Sequence, residues 1–268
     1  AQTHAGTYYL VDGEGWINAS DLSTTDNRIE AVQKVLNEKY NNQERISVYV
    51  KQLDTDRVAA INDEKSMYAA SVAKLGVLYY AQERLSQKKL SLSDEYQYTA
   101  AVNGFPGAYD PDGSGKISKM PDDKNYSLEN LLKAVAQNSD NVATNILGYY
   151  VTNQYDKAFQ KSVDKAAATS WNMDKKELTA RAAGTLMEAV YRQNGDIINY
   201  LSSTDYDGER ISKNIDVPVA HKIGDAYDFK HDVAIVYADS PFILSIFTDK
   251  EGYDKITSIA DDVYGILK

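Results

Sequence analysis

Ser71-Val72-Ala73-Lys74 places a hydroxyl and an amine three residues apart at the start of a long apolar segment. On a helix, positions i and i+3 are neighbours, so Ser71 Oγ and Lys74 Nζ can meet on one face. In a first helical turn the Ser71 N–H has no intrahelical partner and is free to bind an oxyanion. Serine is a weak nucleophile at neutral pH and needs a base beside it. The apolar residues that follow would bury the helix and hold both groups still. The pair therefore reads as an activated nucleophile on a rigid support. A motif this short gains weight only from its context.

Composition sets the outer bounds. The chain has 268 residues, enough for one large domain or two lobes around a substantial core. A net charge of −10 argues against nucleic acid as a partner, because phosphate binding needs a basic face. No cysteine is present, which removes thiolate nucleophiles, thiolate metal sites and disulfides together. His221 and His231 show no metal-ligand spacing, so neither a metal nor another cofactor is expected. No apolar run is long enough to span a bilayer, and Ala1-Gln2-Thr3-His4 does not read as a signal peptide. The lack of cysteine fits an exported protein, although a cytosolic enzyme could also lack it; the expected location is extracellular and associated with the cell envelope, any signal or anchor lying outside this chain.

The elements that must position Ser71 and Lys74 follow from periodicity. Residues 1–23 read as an N-terminal arm with a short hairpin, and its "GWI…DLS" pattern resembles the closing strands of SH3-like cell-wall modules, as the tail of an upstream unit would. Thr24 or Thr25 can cap a helix from about Asp26 to Tyr40, with Ile29, Val32, Val35 and Leu36 on one stripe. Ile46 to Leu53 and Arg57 to Ile61 read as two strands joined by a turn. Asp110-Pro111-Asp112-Gly113-Ser114-Gly115 mimics the first half of a calcium loop, but Pro121 stands where such loops need a bidentate carboxylate, so a tight polar turn is the better reading. Further helices run from Ser127 to about Lys165 and from Thr179 to Gln193. Strands at Val217–Lys222, Asp232–Tyr237 and Phe242–Thr248 precede a last helix at Tyr253–Leu267. This order predicts an α/β (α+β) fold over 24–268, with a mainly antiparallel five-stranded sheet flanked by helices. The α/β lobe comprises about 24–66 and 212–268, and an all-helical lobe, about 67–211, is inserted into it. Sites commonly lie in the cleft between two such lobes.

Ser71-Val72-Ala73-Lys74, Ser139-Asp140-Asn141 and Lys222-Ile223-Gly224 occur in that order. They resemble the S-x-x-K, S-D-N and K-T-G motifs of class A β-lactamases and penicillin-binding proteins, and the likeness runs from about Thr25 to Lys268. The resemblance implies a catalytic set of Ser71, Lys74, Ser139 and Lys222. Lys74 would be the base, its proton affinity lowered by burial and by Lys222. Ser139 would relay a proton to the leaving nitrogen. Asn141 and Gly224 would contact substrate, and the backbone N–H of Asp225 would complete an oxyanion hole with that of Ser71.

Two departures qualify the resemblance. The family's deacylating glutamate lies in an Ω-loop, yet the interval 142–178 is short here and holds only Glu177, hard against the next helix. Acylation should therefore outlast deacylation. Ile223 replaces the hydroxyl residue that helps bind a substrate carboxylate, and Asp225 would repel that carboxylate if it faced the cleft. His221 and His231 raise a rival Ser–His scheme, but no G-x-S-x-G elbow exists, and His221 alternates away from Lys222.

The expected function is acyl transfer through an active-site serine, on β-lactam amides or D-Ala-type peptidoglycan stem peptides, with weak β-lactam turnover. Two alternatives remain: a non-catalytic cell-wall-binding relative, and an esterase or amidase acting on uncharged acyl substrates.

Overall fold

The computed structural model describes residues 2–3, 6–11, 15–21 and 26–268. Five strands form its central antiparallel sheet: β1 (Ile46–Gln52), β2 (Val58–Ile61), β3 (Val219–Ala226), β4 (Phe229–Val236) and β5 (Phe242–Asp249). Their spatial order is β3-β4-β5-β1-β2, so β3 is an edge strand. This is the expected sheet, although β3 runs four residues further than Val217–Lys222 implied. Lys222, Ile223, Gly224 and Asp225 therefore all lie within the strand, paired with Val233, Asp232, His231 and Lys230. Periodicity missed this extension because Gly224 and Asp225 are poor strand formers that tertiary packing recruits.

Both faces of the sheet are covered, which explains the nearly unbroken burial along β5. On one face Val48, Val50, Leu244 and Ile246 pack with Ile29, Val32 and Leu36 of α1 (Arg28–Tyr40) and with Ile256, Ile259 and Val263 of α8 (Tyr253–Leu267). On the other face Tyr49, Val233, Ile243 and Phe247 join the core of the helical lobe. That lobe contains α2 (Lys74–Ser86), α3 (Leu128–Asn138), α4 (Asn141–Tyr150), α5 (Lys157–Ala167), α6 (Ala180–Gln193) and α7 (Asp196–Leu201). The helix at 28–40 appears close to its expected bounds, whereas its expected caps Thr24 and Thr25 lie outside the described residues.

The caps show how sequence fixes the helical lobe. Ser127 Oγ accepts the Asn130 N–H at 3.3 Å and Thr179 Oγ1 accepts the Ala182 N–H at 3.0 Å, opening α3 and α6. At the N-terminus, strands Gly6–Val11 and Gly15–Asn18 pair as a hairpin with Gln2–Thr3 added at its edge. Among the described residues no helix is long and apolar enough to cross a membrane.

Candidate active site

Ser71 belongs to a 3-10 turn, Ala70–Ala73, that continues directly into α2. Ala70 enters this turn at φ +49°, a left-handed conformation that costs a residue with a Cβ about 1 kcal/mol or more. Its surroundings enforce it. The Ala69 N–H donates to Lys176 O at 2.7 Å, and Tyr109 Oη donates to Ala70 O at 3.1 Å. Ser71 thus faces a cavity of about 310 Å³, lined also by Tyr68, Tyr109, Asn141, Lys176 and Asp225.

Lys74 lies one turn on, fully buried. Its Nζ donates to Ser139 O at 2.6 Å and to Asn141 Oδ1 at 2.5 Å. The direct contact expected between Ser71 Oγ and Lys74 Nζ is absent from the hydrogen bonds among the described residues, because these two acceptors hold the amine across the cleft. Burial drives the Lys74 pKa well below the usual lysine value, and the nearby charge of Lys222 pushes it the same way. A buried amine with neutral hydrogen-bond partners is poised to be a base.

Ser139 and Asn141 reach this position because the chain reverses between two helices. Ser139 ends α3 at φ +54°, and Asp140 caps α4, its Oδ1 accepting the Ala143 N–H at 2.8 Å. Asp140 Oδ2 also accepts the N–H groups of Lys116 at 2.6 Å and Ile117 at 2.9 Å. Asn141 Nδ2 donates to Asp110 O at 2.7 Å, and its own N–H donates to Ser114 O at 2.9 Å. The turn that imitates a calcium loop is therefore the brace that seats Ser139-Asp140-Asn141. Gly115 is required there, since it adopts φ +121° and a Cβ would fall onto the Asp140 carboxylate. Among the described residues no group of three or more His, Cys, Asp or Glu could hold a metal ion.

From the opposite wall, Lys222 Nζ donates to Ser139 Oγ at 2.7 Å and to Ile223 O at 3.1 Å. Burial brings its pKa down to about 7; the Asp232 carboxylate opposes this, and Arg210 reinforces it. Gly224 lets the strand reach the nucleophile turn, because a Cβ there would stand 2.6 Å from Ala69 O and 3.3 Å from Val72 N. That close approach brings Asp225 to the cavity that Ser71 lines. The Asp225 side chain turns away to Arg210, with Oδ2 accepting Nη2 at 2.9 Å. Tyr253 Oη bonds the same carboxylate, and the Arg210 guanidinium also pairs with Glu209 and lies 3.9 Å from the Tyr253 ring centroid. The Asp225 carboxylate is thus anchored on a buried arginine that no sequence motif announced.

The interval 142–178 contributes Lys176, also missed by sequence reasoning. Its Nζ donates to Gly107 O at 2.7 Å and stands 4.5 Å from the Tyr109 ring centroid, as does Lys74 Nζ. Glu177 is exposed and pairs, through its backbone, with Tyr68 at the end of a two-residue strand. It does not line the Ser71 cavity.

Neither histidine joins the nucleophile. His221 Nδ1 lies 3.0 Å from Asp232 Oδ1, and its Nε2 lies 3.1 Å from Asp207 Oδ1. Burial disfavours its charge, yet Asp232 and Asp207 prevail and lift its pKa to about 9. His231 Nδ1 accepts the Thr248 N–H at 3.1 Å and its Nε2 donates to Tyr68 O at 2.9 Å, which fixes a neutral tautomer. Burial lowers its pKa to about 4.

Comparison with known proteins bears on the fold and the family. No curated protein matches the sequence. Among solved structures, PBP-A is similar with a TM-score of 0.72 and 15% identity, over 90% of this chain and 95% of that one. A mutant of PBP-A, solved as an acyl-enzyme complex with penicillin G, superposes with a TM-score of 0.72 at 15% identity, over 89% of this chain and 95% of the other. A beta-lactamase from Sphaerobacter thermophilus gives a TM-score of 0.68 at 15% identity, over 89% and 94% of the two chains. At such identities these likenesses establish the fold, here a β-lactamase-like one. The sequence profile of the beta-lactamase enzyme family matches residues 27–267, and the chain belongs to that family.

Proposed function

We propose that this protein forms a covalent acyl-enzyme on Ser71, with β-lactam amides or D-Ala-type peptidoglycan peptides as acyl donors, and releases the acyl group slowly. The observation that carries this reading is the buried Lys74 amine, held by Ser139 O and Asn141 Oδ1 one turn from a serine that lines the cavity. As neutral amine, Lys74 takes the Ser71 proton while Oγ attacks the carbonyl carbon. The Ser71 and Asp225 N–H groups receive the developing oxyanion. The proton passes through the Ser139 hydroxyl, oriented by Lys222, to the leaving nitrogen as the C–N bond breaks. Water then cleaves the ester. No glutamate lines the Ser71 cavity, and its two carboxylates are engaged elsewhere, Asp110 by the Asp112 N–H and Asp225 by Arg210, so we read this second half as the slow step. Such chemistry belongs at the cell envelope, where peptidoglycan is the available acyl donor.

Incubation with benzylpenicillin, followed by intact-protein mass spectrometry, tests the reading. One adduct per chain that disappears in Ser71→Ala is expected. Rapid turnover of a chromogenic cephalosporin without adduct accumulation would refute slow deacylation.

The Arg210–Asp225 ion pair favours one further reading, an esterase or amidase whose substrates bear no carboxylate on the leaving group. Ser71-dependent hydrolysis of uncharged p-nitrophenyl esters, faster than acylation by any β-lactam, would select it. A non-catalytic wall-binding role predicts instead equal peptidoglycan retention by wild type and Ser71→Ala, with no adduct.

A further inference from the structure

The two ends of the cleft differ in how their positive charge is met. Arg210 contributes to a second cavity of about 630 Å³, lined also by Asp205, Glu209, Ile223, Asp225 and Tyr253. There Asp225 and Glu209 already hold its guanidinium. Lys176 lines the Ser71 cavity and is only 6% exposed. An ammonium has three N–H donors, and Gly107 O takes one of them. Among the described residues no carboxylate lies within ion-pair distance of Lys176; Asp174 acts on it only at longer range. Burial holds its pKa below the ordinary lysine value, with Asp174 opposing. Its backbone is fixed as firmly as its amine, since Lys176 O receives the Ala69 N–H beside the nucleophile.

The direction of the substrate follows from Ser139. The leaving nitrogen must reach Ser139 Oγ, which Lys222 holds, and the adjacent Ile223 lines the Arg210 cavity. The leaving group therefore points toward Arg210, and the acyl group extends toward Tyr109 and Lys176.

We propose that Lys176 is the anion receptor for the acyl half of the substrate, so that an acyl donor with a negative charge on its acyl half is preferred over its neutral or cationic counterpart. The inference rests on serine acylation as read above. A buried ammonium lacking a carboxylate partner is costly, and a substrate anion supplies the missing charge and acceptors. At the other end Asp225 occupies the guanidinium that a leaving-group carboxylate would seek.

Thioesters test this directly, because the acyl group can change while the leaving group stays constant. N-succinylglycyl, N-acetylglycyl and β-alanylglycyl benzyl thioesters present an anionic, a neutral and a cationic acyl half. Thiol release and the mass of the Ser71 adduct would be followed together. Wild type should be acylated fastest by the succinyl reagent, by about tenfold over the acetyl one, as one charge-assisted hydrogen bond implies. The β-alanyl reagent should be slowest. Lys176→Met should erase the ranking, and Lys176→Arg should keep most of it. Equal rates in wild type, or a ranking that survives Lys176→Met, overturns the proposal. The wild-type ranking stands as a test even if the methionine variant fails to fold. Should benzylpenicillin label Ser71 while none of the thioesters does, this inference alone falls; should nothing label Ser71, the acylation reading falls and takes it along.

Discussion

At the centre of the cleft, Lys74 and Lys222 are buried and held by uncharged acceptors, namely Ser139 O, Asn141 Oδ1, Ser139 Oγ and Ile223 O. At its edge, Arg210 is covered by the carboxylates of Asp225 and Glu209. The first arrangement depresses proton affinity and suits acid–base work. The second satisfies a charge and closes a binding position. On the proposed reading, the acylating groups and the position for a substrate carboxylate are thus separate: the lysines at the centre keep uncharged partners, whereas Arg210 at the edge is met from within.

Removing the central groups should give the largest effects. Ser71→Ala abolishes acylation, and Lys74→Met slows it by about 10²–10⁴-fold, the usual worth of a positioned base, in stopped-flow labelling with a fluorescent penicillin. A Lys74→Met enzyme as fast as wild type would assign the base elsewhere.

The wall behind the site makes a stability prediction. His221 lies between the buried Asp232 and the half-exposed Asp207, so His221→Phe leaves the Asp232 carboxylate without its imidazole partner and should cost about 3 kcal/mol in denaturant unfolding. The sign with pH is fixed by the raised pKa. The stabilisation is complete below the unfolded value near 6.5 and is lost as pH rises through about 9. Wild-type Tm should therefore fall over that window, and the phenylalanine variant should lack that component. A pH-independent difference between them would contradict the charged histidine.

Lys222 sharpens the comparison through its charge. With Lys74 as the proposed base, acylation should rise with pH along a limb well below the ordinary lysine range. Lys222→Met removes a positive neighbour and should move that limb upward, which a pH–rate profile of labelling would show. At the edge, Asp225→Asn uncovers Arg210 while keeping the backbone N–H. It should improve KM for carboxylate-bearing β-lactams by about tenfold, with a smaller change in kcat. No gain would mean that Glu209 alone keeps Arg210 closed.

Much of this was legible in sequence, for reasons that differ by residue. Ser71, Lys74 and the apolar stripe after them are local, and helical periodicity places them. Ser139, Asn141 and Lys222 were found only because three motifs stand in a recognisable order; their meeting depends on contacts across 65 or more positions. Arg210 and Lys176 belong to no pattern. Arg210 matters through Asp225, fifteen positions away, and Lys176 through the carbonyl of Gly107, 69 positions away. The turn at Asp110 to Gly115 is the polar turn its residues suggested, but its task was not legible: Asp110 O and Ser114 O serve Asn141, and the Lys116 and Ile117 N–H groups that follow it serve Asp140. Composition cannot distinguish a carboxylate's ligand from a carboxylate's brace.

The central claim is that this cleft can load its serine but lacks an evident group to empty it. Peptide-level mass spectrometry over time, after excess benzylpenicillin is destroyed, measures that directly. The account predicts an adduct confined to the Ser71 peptide that outlasts its own formation many times over. An adduct on another residue, or one that vanishes as fast as it forms, would contradict it.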